Sequence, residues 1–458
     1  MASLHSDFTQ GSLRAHVTRF SLPFLLSNLI QAFYSVADML IVGRYCDAAA
    51  LSGVNIGGQV TNLVLMMVSG LTVGGTVLVA QYFGARQKEE VSRTIGTMFT
   101  LLGLMAVALS ALVIALSGPI LTLLRTPGES FSEAQAYLVI CSLGNIFIFG
   151  YNAISAVQRG LGDSKRPLIF VSIACVINVV LDIILVGYVG LGAAGAAWAT
   201  IAAQGISMLL AMVYLSKNRF LFDFKRSSFK IHPDKVRLLL RVGLPSSLQS
   251  VVVNLSFLLM TALTNGFGVY ASAAVGIAGK FNSFAILPAV AMSSSVSSIA
   301  AQNIGAGLYD RARGALISGI QIALGLGVAV WLLVQLAPEF IMRLFSNEDE
   351  VIRLGVVYIR AFSYDYLLVP IGFCLNGLLT GAGHTTLSMI SGMLSSIVLR
   401  MPAAYLLSRT ELGLAGVGAA APIASAASLI FGLCFVVSGY WRRDATGIRK
   451  NVQSEEGV

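Results

Sequence analysis

The chain has 458 residues, of which 11% are charged and 56% apolar, and it carries a formal net charge of +9. A soluble domain has about 25% charged residues, so a soluble fold is excluded. The five cysteines (Cys46, Cys141, Cys175, Cys374 and Cys434) are scattered without CxxC spacing, which reads as apolar packing rather than a metal or disulfide framework.

Apolar segments long enough to cross roughly 30 Å of hydrocarbon recur along the whole chain. Twelve are expected, at 20–42, 55–82, 94–116, 135–158, 168–189, 193–215, 241–264, 275–301, 315–337, 358–380, 386–407 and 414–440. The fold class is thus an all-α integral membrane protein. Residues 1–19 form a polar tail without the pattern of a cleaved signal peptide.

Span 1 carries Asp38, an acid that a bilayer interior disfavours and that is read as functional by default. Gln31, Tyr34 and Asp38 share one helix face by their spacing, and Pro23 marks a bend or the helix entry. Tyr137 falls near the start of span 4. Span 5 carries Asn178 and Asp182, one turn apart on one face, and span 6 carries Thr200. Counted from the span ends, Asp38, Tyr137, Asp182 and Thr200 share one depth, the extracellular third, which permits a single cluster. Two carboxyls together in a low dielectric hold either a proton or a cation. Asp38, Asn178, Asp182 and Thr200 would supply an oxygen cage for Na⁺. Phe33, Tyr34, Met66, Met67, Phe147, Phe149, Tyr151, Phe281, Phe284, Tyr364 and Tyr366 are candidate cavity walls suited to bulky cations.

The chain repeats itself at a period of about 221 residues. LPFLLSNLIQAF at 22–33 parallels LPSSLQSVVVNL at 244–255, AQYFGA at 80–85 parallels AQNIGAG at 301–307, and RGLGDS at 159–164 parallels TGAGHT at 380–385. Six spans intervene, so the copies run in the same direction and are expected to be related by a pseudo-two-fold along the membrane normal. The expected divisions are a tail at 1–19, a first lobe of six spans at 20–215, a basic linker at 216–240, a second lobe of six spans at 241–440 and a tail at 441–458. In the second lobe Met260 stands opposite Asp38 and Ala403 opposite Asp182. Its own polar residues include Lys280 and Asp365, candidates for an ion pair, with His384 in a loop and Arg400 structural. Ion coupling is therefore expected in the first lobe.

Most Lys and Arg fall on one side of the membrane, in the tails, the 83–93, 159–167 and 216–241 loops, and at Arg311 and Arg313. Arg44, Arg125, Arg343, Arg353 and Arg409 fall on the other. This bias places both termini in the cytoplasm, with the chain in the plasma membrane. Charges divided among loops do not make a nucleic-acid patch. Histidines at 5, 16, 232 and 384 form no motif, which argues against a membrane-embedded enzyme.

The segments LPFLLSNLIQAFYSVADMLIVGR, VAQYFGARQ, QRGLGDSKRP, VINVVLDIILV and GLGAAGAAWAT, with the echoes AAQNIGAG and GLLTGAGHT, resemble multidrug and toxic compound extrusion (MATE) transporters over essentially the whole chain. The resemblance is to the branch related to DNA-damage-inducible proteins. It implies that Asp38, Asn178, Asp182 and Thr200 form the ion-coupling site, that Tyr34 and Tyr137 lie near it, and that Gln31 and Asn152 line the first-lobe cavity. It also implies that span 1 bends at Pro23. The implied activity is antiport of H⁺ or Na⁺ against organic cations, drugs or other amphipathic compounds. No cofactor is expected beyond the coupling ion; the partners are small molecules and lipid, and the working unit is a monomer. A lipid-linked precursor flippase is the related alternative. It calls for a strongly cationic central cavity, whereas only Lys280 lies deep in a span.

Overall fold

The computed structural model describes residues 6–217 and 221–448. Arg449 and Lys450 of the C-terminal tail, Arg219 of the basic loop and His5 lie outside the described residues. Among the described residues, ten helices are long and apolar enough to cross a membrane. In the first half they are span 1 (Leu13–Tyr45), span 2 (Ala48–Gly84), span 3 (Lys88–Ala115), span 5 (Lys165–Tyr188) and span 6 (Gly192–Lys217). In the second half they are span 7 (Pro233–Asn265), span 8 (Val269–Gly305), span 9 (Tyr309–Leu336), span 11 (Thr385–Ser408) and span 12 (Gly413–Val437). Two bent pairs complete the set of twelve. Span 4 is Gly128–Leu143 with Asn145–Gly160, bent by 49°, and span 10 is Asp349–Phe362 with Asp365–Gly381, bent by 44°. Each coincides with an expected segment. The outward faces are apolar where a soluble protein would carry charge: on span 3, Leu104, Val107 and Leu112 are all exposed.

The repeated motifs have a physical basis in this packing. Gly160 ends span 4 against span 2, where an added Cβ would sit 2.8 Å from the Thr76 carbonyl. Gly381 ends span 10 against span 8, where a Cβ would sit 2.4 Å from the Ser297 carbonyl. Two residues on, Gly162 and Gly383 both take φ +83°, which turns the chain out of the helix and strains any other residue. Spans 5 and 11 also share a device, a wider π-helical stretch at Ile183–Tyr188 and at Leu394–Arg400. Such stretches cluster at functional positions, and here they adjoin Asp182 and contain Arg400.

The chain packs as two compact units that do not follow the sequence halves. Of the described residues, unit 1 holds Ser6 and Leu26–Leu244; unit 2 holds Asp7–Leu25 and residues 245–448. Spans 1 and 7 therefore each begin in one unit and end in the other, and both changes fall beside the proline of the repeated Leu-Pro pair, Pro23 or Pro245. Span 1 is helical from Leu13 and continuous across Pro23, so that proline is not the helix entry.

The AQYFGA and AQNIGAG motifs hold these beginnings. In unit 2, Phe8 N–H donates to Gln302 Oε1 at 3.1 Å, and its carbonyl accepts from Asn303 Nδ2 at 3.3 Å and from Arg311 at 3.0 Å. Phe8, Val17 and Phe20 are buried in the same apolar cluster as Val296, Ile299 and Ala300. In unit 1, Lys235 at the head of span 7 donates to the Tyr82 hydroxyl at 2.6 Å and pairs with Glu90 and Asp234. The basic linker is not free chain. Phe222, Phe224 and Phe229 pack with Phe99 of span 3, and Thr100 donates to the Phe229 carbonyl at 3.2 Å.

Candidate functional site: the cavity of unit 1

Spans 1, 2, 4, 5 and 6 enclose a cavity of about 660 Å³ within unit 1. The face read from span 1 lines it as a set: Gln31, Tyr34 and Asp38. Tyr137 comes from span 4, Asn178 from span 5 and Thr200 from span 6. The Tyr34 hydroxyl lies 3.2 Å from Thr200 Oγ1, and Asn178 Nδ2 donates to the same oxygen at 3.4 Å. Tyr34 is one turn from Asp38, so this hydroxyl network borders the acid.

Asp182 lies behind the wall rather than in it. It is fully buried, and its carboxyl stands close enough to Asp38 for the two to interact directly. Both Asp182 oxygens, Asp38 Oδ1 and Asn178 Oδ1 are buried, and none has a donor assigned to it among the described residues. Four acceptor atoms in such a state are costly unless a proton or a cation joins them. Among the described residues no three His, Cys, Asp or Glu side chains group as a metal site, so a cation here would lean on Asn and Thr oxygens besides the two acids.

Two residues expected at this site lie elsewhere. Asn152 does not line the cavity; its Nδ2 turns back to the Ile148 carbonyl at 2.8 Å, a bond its own helix offers one turn away. Pro23 belongs to unit 2. The aromatic and Met walls also differ from expectation. Of those candidates in unit 1 only Tyr34 lines the cavity. The wall has instead a stripe on span 2, Asn55, Gln59 and Asn62, joined by Gln204 of span 6. The sequence carried the signal: these three residues recur at helical spacing in an otherwise apolar span, and Gln204 follows Thr200 by one turn.

The second-lobe candidates do not pair. Lys280 is exposed and forms no ion pair among the described residues. Asp365 is buried, 5% exposed, and its charged neighbour is Arg400, with Ser425 also beside it. The Arg400 guanidinium also lies 5.3 Å from the Phe257 ring. The void beside Asp365 measures about 20 Å³, room for one water.

The family profile described as MatE matches residues 23–184 and again 245–406, one match per repeat. The probable multidrug resistance protein YpnP of Bacillus subtilis is 30% identical over 413 residues, 90% of this chain and 92% of its own length. The probable multidrug resistance protein NorM of Thermotoga maritima is 26% identical over 453 residues, 96% of each chain. Among solved structures, a multidrug resistance MATE family transporter of the MOP superfamily, in an outward-facing conformation, superposes with a TM-score of 0.90 at 22% identity, over 98% of this chain and 100% of that one. A MOP superfamily transporter from Pyrococcus furiosus superposes at 0.88, also at 22% identity, over 98% of this chain and 99% of the other. The chain belongs to the MatE family of multidrug and toxic compound extrusion transporters, and it is a transporter rather than an enzyme.

Proposed function

We propose that the chain is an antiporter that exports organic cations, drugs or other amphipathic compounds in exchange for H⁺ or Na⁺. One chain is the working unit, set in the plasma membrane with both termini in the cytoplasm. The observation that carries this reading is the pair Asp38 and Asp182, with Asp38 in the wall of a cavity large enough for a drug-sized molecule, Asp182 buried behind it, and three of their four oxygens buried with no hydrogen-bond partner among the described residues. With the cavity open outward, the pair takes up its ion, and Asn178 and Thr200 complete the oxygen set. Tyr34 adjusts its hydrogen bond to whichever carboxyl carries charge. Neutralising the pair removes the reason for water to stay in the cavity; span 1 bends near Pro23, the cavity contracts and the compound leaves to the outside. Return to the inward-open state frees the ion to the cytoplasm. Ion and compound must then weaken each other's binding or favour opposite states, because coupling is reciprocal. The absence of any Lys or Arg from the lining residues favours this reading over a carrier of polyanionic lipid-linked precursors.

The test is efflux from proteoliposomes under an imposed pH gradient and, separately, an imposed sodium gradient. The wild-type protein drives export under one of them, and Asp38→Asn, expressed and folded, does not. Export by Asp38→Asn at the wild-type rate under the same gradient would show that the acid is not the coupling group.

A further inference from the structure

Six carboxamides converge on the unit 1 cavity: Gln31, Asn55, Gln59, Asn62, Asn178 and Gln204. Against them the lining has a single charged residue, Asp38, and only two aromatic rings, Tyr34 and Tyr137, with no Phe or Trp. A pocket built for a bare lipophilic cation has the opposite make-up, because ring faces attract such cations while the N–H donors of carboxamides find no acceptor on them. Each carboxamide offers both a donor and an acceptor, and each is costly in a membrane interior. Several of these groups already have partners: Gln31 donates to the Ser27 carbonyl at 3.3 Å, and Gln59 donates to Asn55 at 3.2 Å. Asn178 Oδ1 and Gln204 Oε1 are buried with none among the described residues. A compound that displaces water without replacing its hydrogen bonds would leave more of them unpaired, and sites of this kind reject such compounds strongly.

We propose that the cavity takes an organic compound that is uncharged or singly cationic and bears several amide or hydroxyl groups, and that the span 2 stripe of Asn55, Gln59 and Asn62 sets this preference. The proposal rests on the export reading above and narrows its substrate class. Asp38 balances at most one positive charge, and that only while it is not holding the coupling ion. The span 2 stripe turns its amide edges to the bound compound along about two helical turns. The Tyr34 and Tyr137 rings accept the apolar part of the molecule.

Two probes separate the alternatives in binding and transport assays on the intact protein in lipid nanodiscs and proteoliposomes. Chloramphenicol is neutral and bears an amide and hydroxyls; tetraphenylphosphonium is a monocation with no hydrogen-bonding group. Wild-type protein is expected to bind chloramphenicol the more tightly. Gln59→Leu is expected to lower the ratio of chloramphenicol to tetraphenylphosphonium affinity by about fivefold or more, the worth of one net hydrogen bond. Gln59→Asn, which keeps the amide, is expected to restore part of that ratio, which guards against a merely misfolded variant. Tighter binding of tetraphenylphosphonium by the wild type, or an unchanged ratio in Gln59→Leu, would overturn the proposal. If tetraphenylphosphonium is exported under an ion gradient while chloramphenicol is not bound, this proposal falls and the antiport reading stands. If neither probe is bound or exported, both fall.

Discussion

Units 1 and 2 share a scaffold and differ in what they bury. Both close a repeated glycine contact, Gly160 on span 2 and Gly381 on span 8, and both set a tyrosine at the matching position of their bent span, Tyr137 and Tyr358. Unit 1 then places two acids together, leaves three of their four oxygens buried without a hydrogen-bond partner among the described residues, and opens a cavity of about 660 Å³ beside them. Unit 2 places one acid, Asp365, and sets Arg400 as its charged neighbour; the void there is about 20 Å³. Arg400 stands a full repeat beyond Asn178, to within a residue, so the copy that lacks the second acid has a built-in cation where the other has a neutral amide. A buried acid beside its own cation has less need of one from solution, whereas a buried pair of acids needs one. The difference teaches that the repeat fixes the frame and a few side chains decide which half buries a pair of acids without a cation of its own.

The largest expected effect is on coupling. Asp182→Asn removes half of the unit 1 pair, and gradient-driven export should fall by the full coupling factor, roughly 5- to 150-fold in systems of this kind. The double variant Asp365→Asn/Arg400→Gln removes charge from unit 2 in matched amounts and should leave the gradient dependence in place. Transport measured under an imposed gradient decides it: loss of coupling in the double variant would mean that unit 2 takes part. A smaller effect, on stability, comes from Arg400→Gln alone. It leaves Asp365 buried without its cation. The cost should be about 2 kcal/mol, below the 3–5 kcal/mol of a broken contact pair, because the two groups face each other without forming a contact ion pair. Thermal unfolding in detergent should show the loss, and adding Asp365→Asn should recover most of it; a double variant as unstable as the single one would remove Asp365 as the reason.

The frame was legible in the sequence because its causes are local and periodic. Apolar runs of bilayer length give the spans, and a motif repeated at a fixed interval gives the two halves. The cluster of Tyr34, Asp38, Asn178, Asp182 and Thr200 was legible because acids in apolar helices are few and their depth can be counted from the span ends. The span 2 stripe and Gln204 are less legible, because uncharged amides in a membrane carry the same signal as ionisable groups more weakly. Asn152 shows a different limit: whether a polar side chain faces a cavity or bonds its own helix depends on a rotamer, which spacing does not fix. Least legible was the exchange of helix beginnings between the units. Span 1 and span 7 look like ordinary first helices of their halves, and only the packing of Phe8, Val17 and Phe20 in unit 2, and of Lys235 in unit 1, reveals where each begins.

That exchange supplies the smallest and last contrast. The two motifs hold the incoming segment by different means. In unit 2 the buried Gln302 amide accepts from the backbone N–H of Phe8, itself buried at 2% exposure, while Asn303 and Arg311 donate to the Phe8 carbonyl and Arg311 to the Gly11 carbonyl. Gln302→Leu therefore strands a buried donor and should cost about 1–2 kcal/mol. In unit 1 the Tyr82 hydroxyl is one of three partners of Lys235, and Glu90 and Asp234 remain when it is removed. Tyr82→Phe should cost at most about 0.5 kcal/mol, since the ammonium stays paired. Amide hydrogen exchange reads both sites in one experiment. Gln302→Leu should speed exchange across residues 7–12 severalfold, while Tyr82→Phe leaves 233–240 nearly as protected as before. Equal loosening of the two segments would mean that the motifs grip alike and that the contrast in their hydrogen bonds has no energetic weight; faster exchange at 233–240 alone would reverse the assignment and make the tyrosine, not the glutamine, the stronger hold.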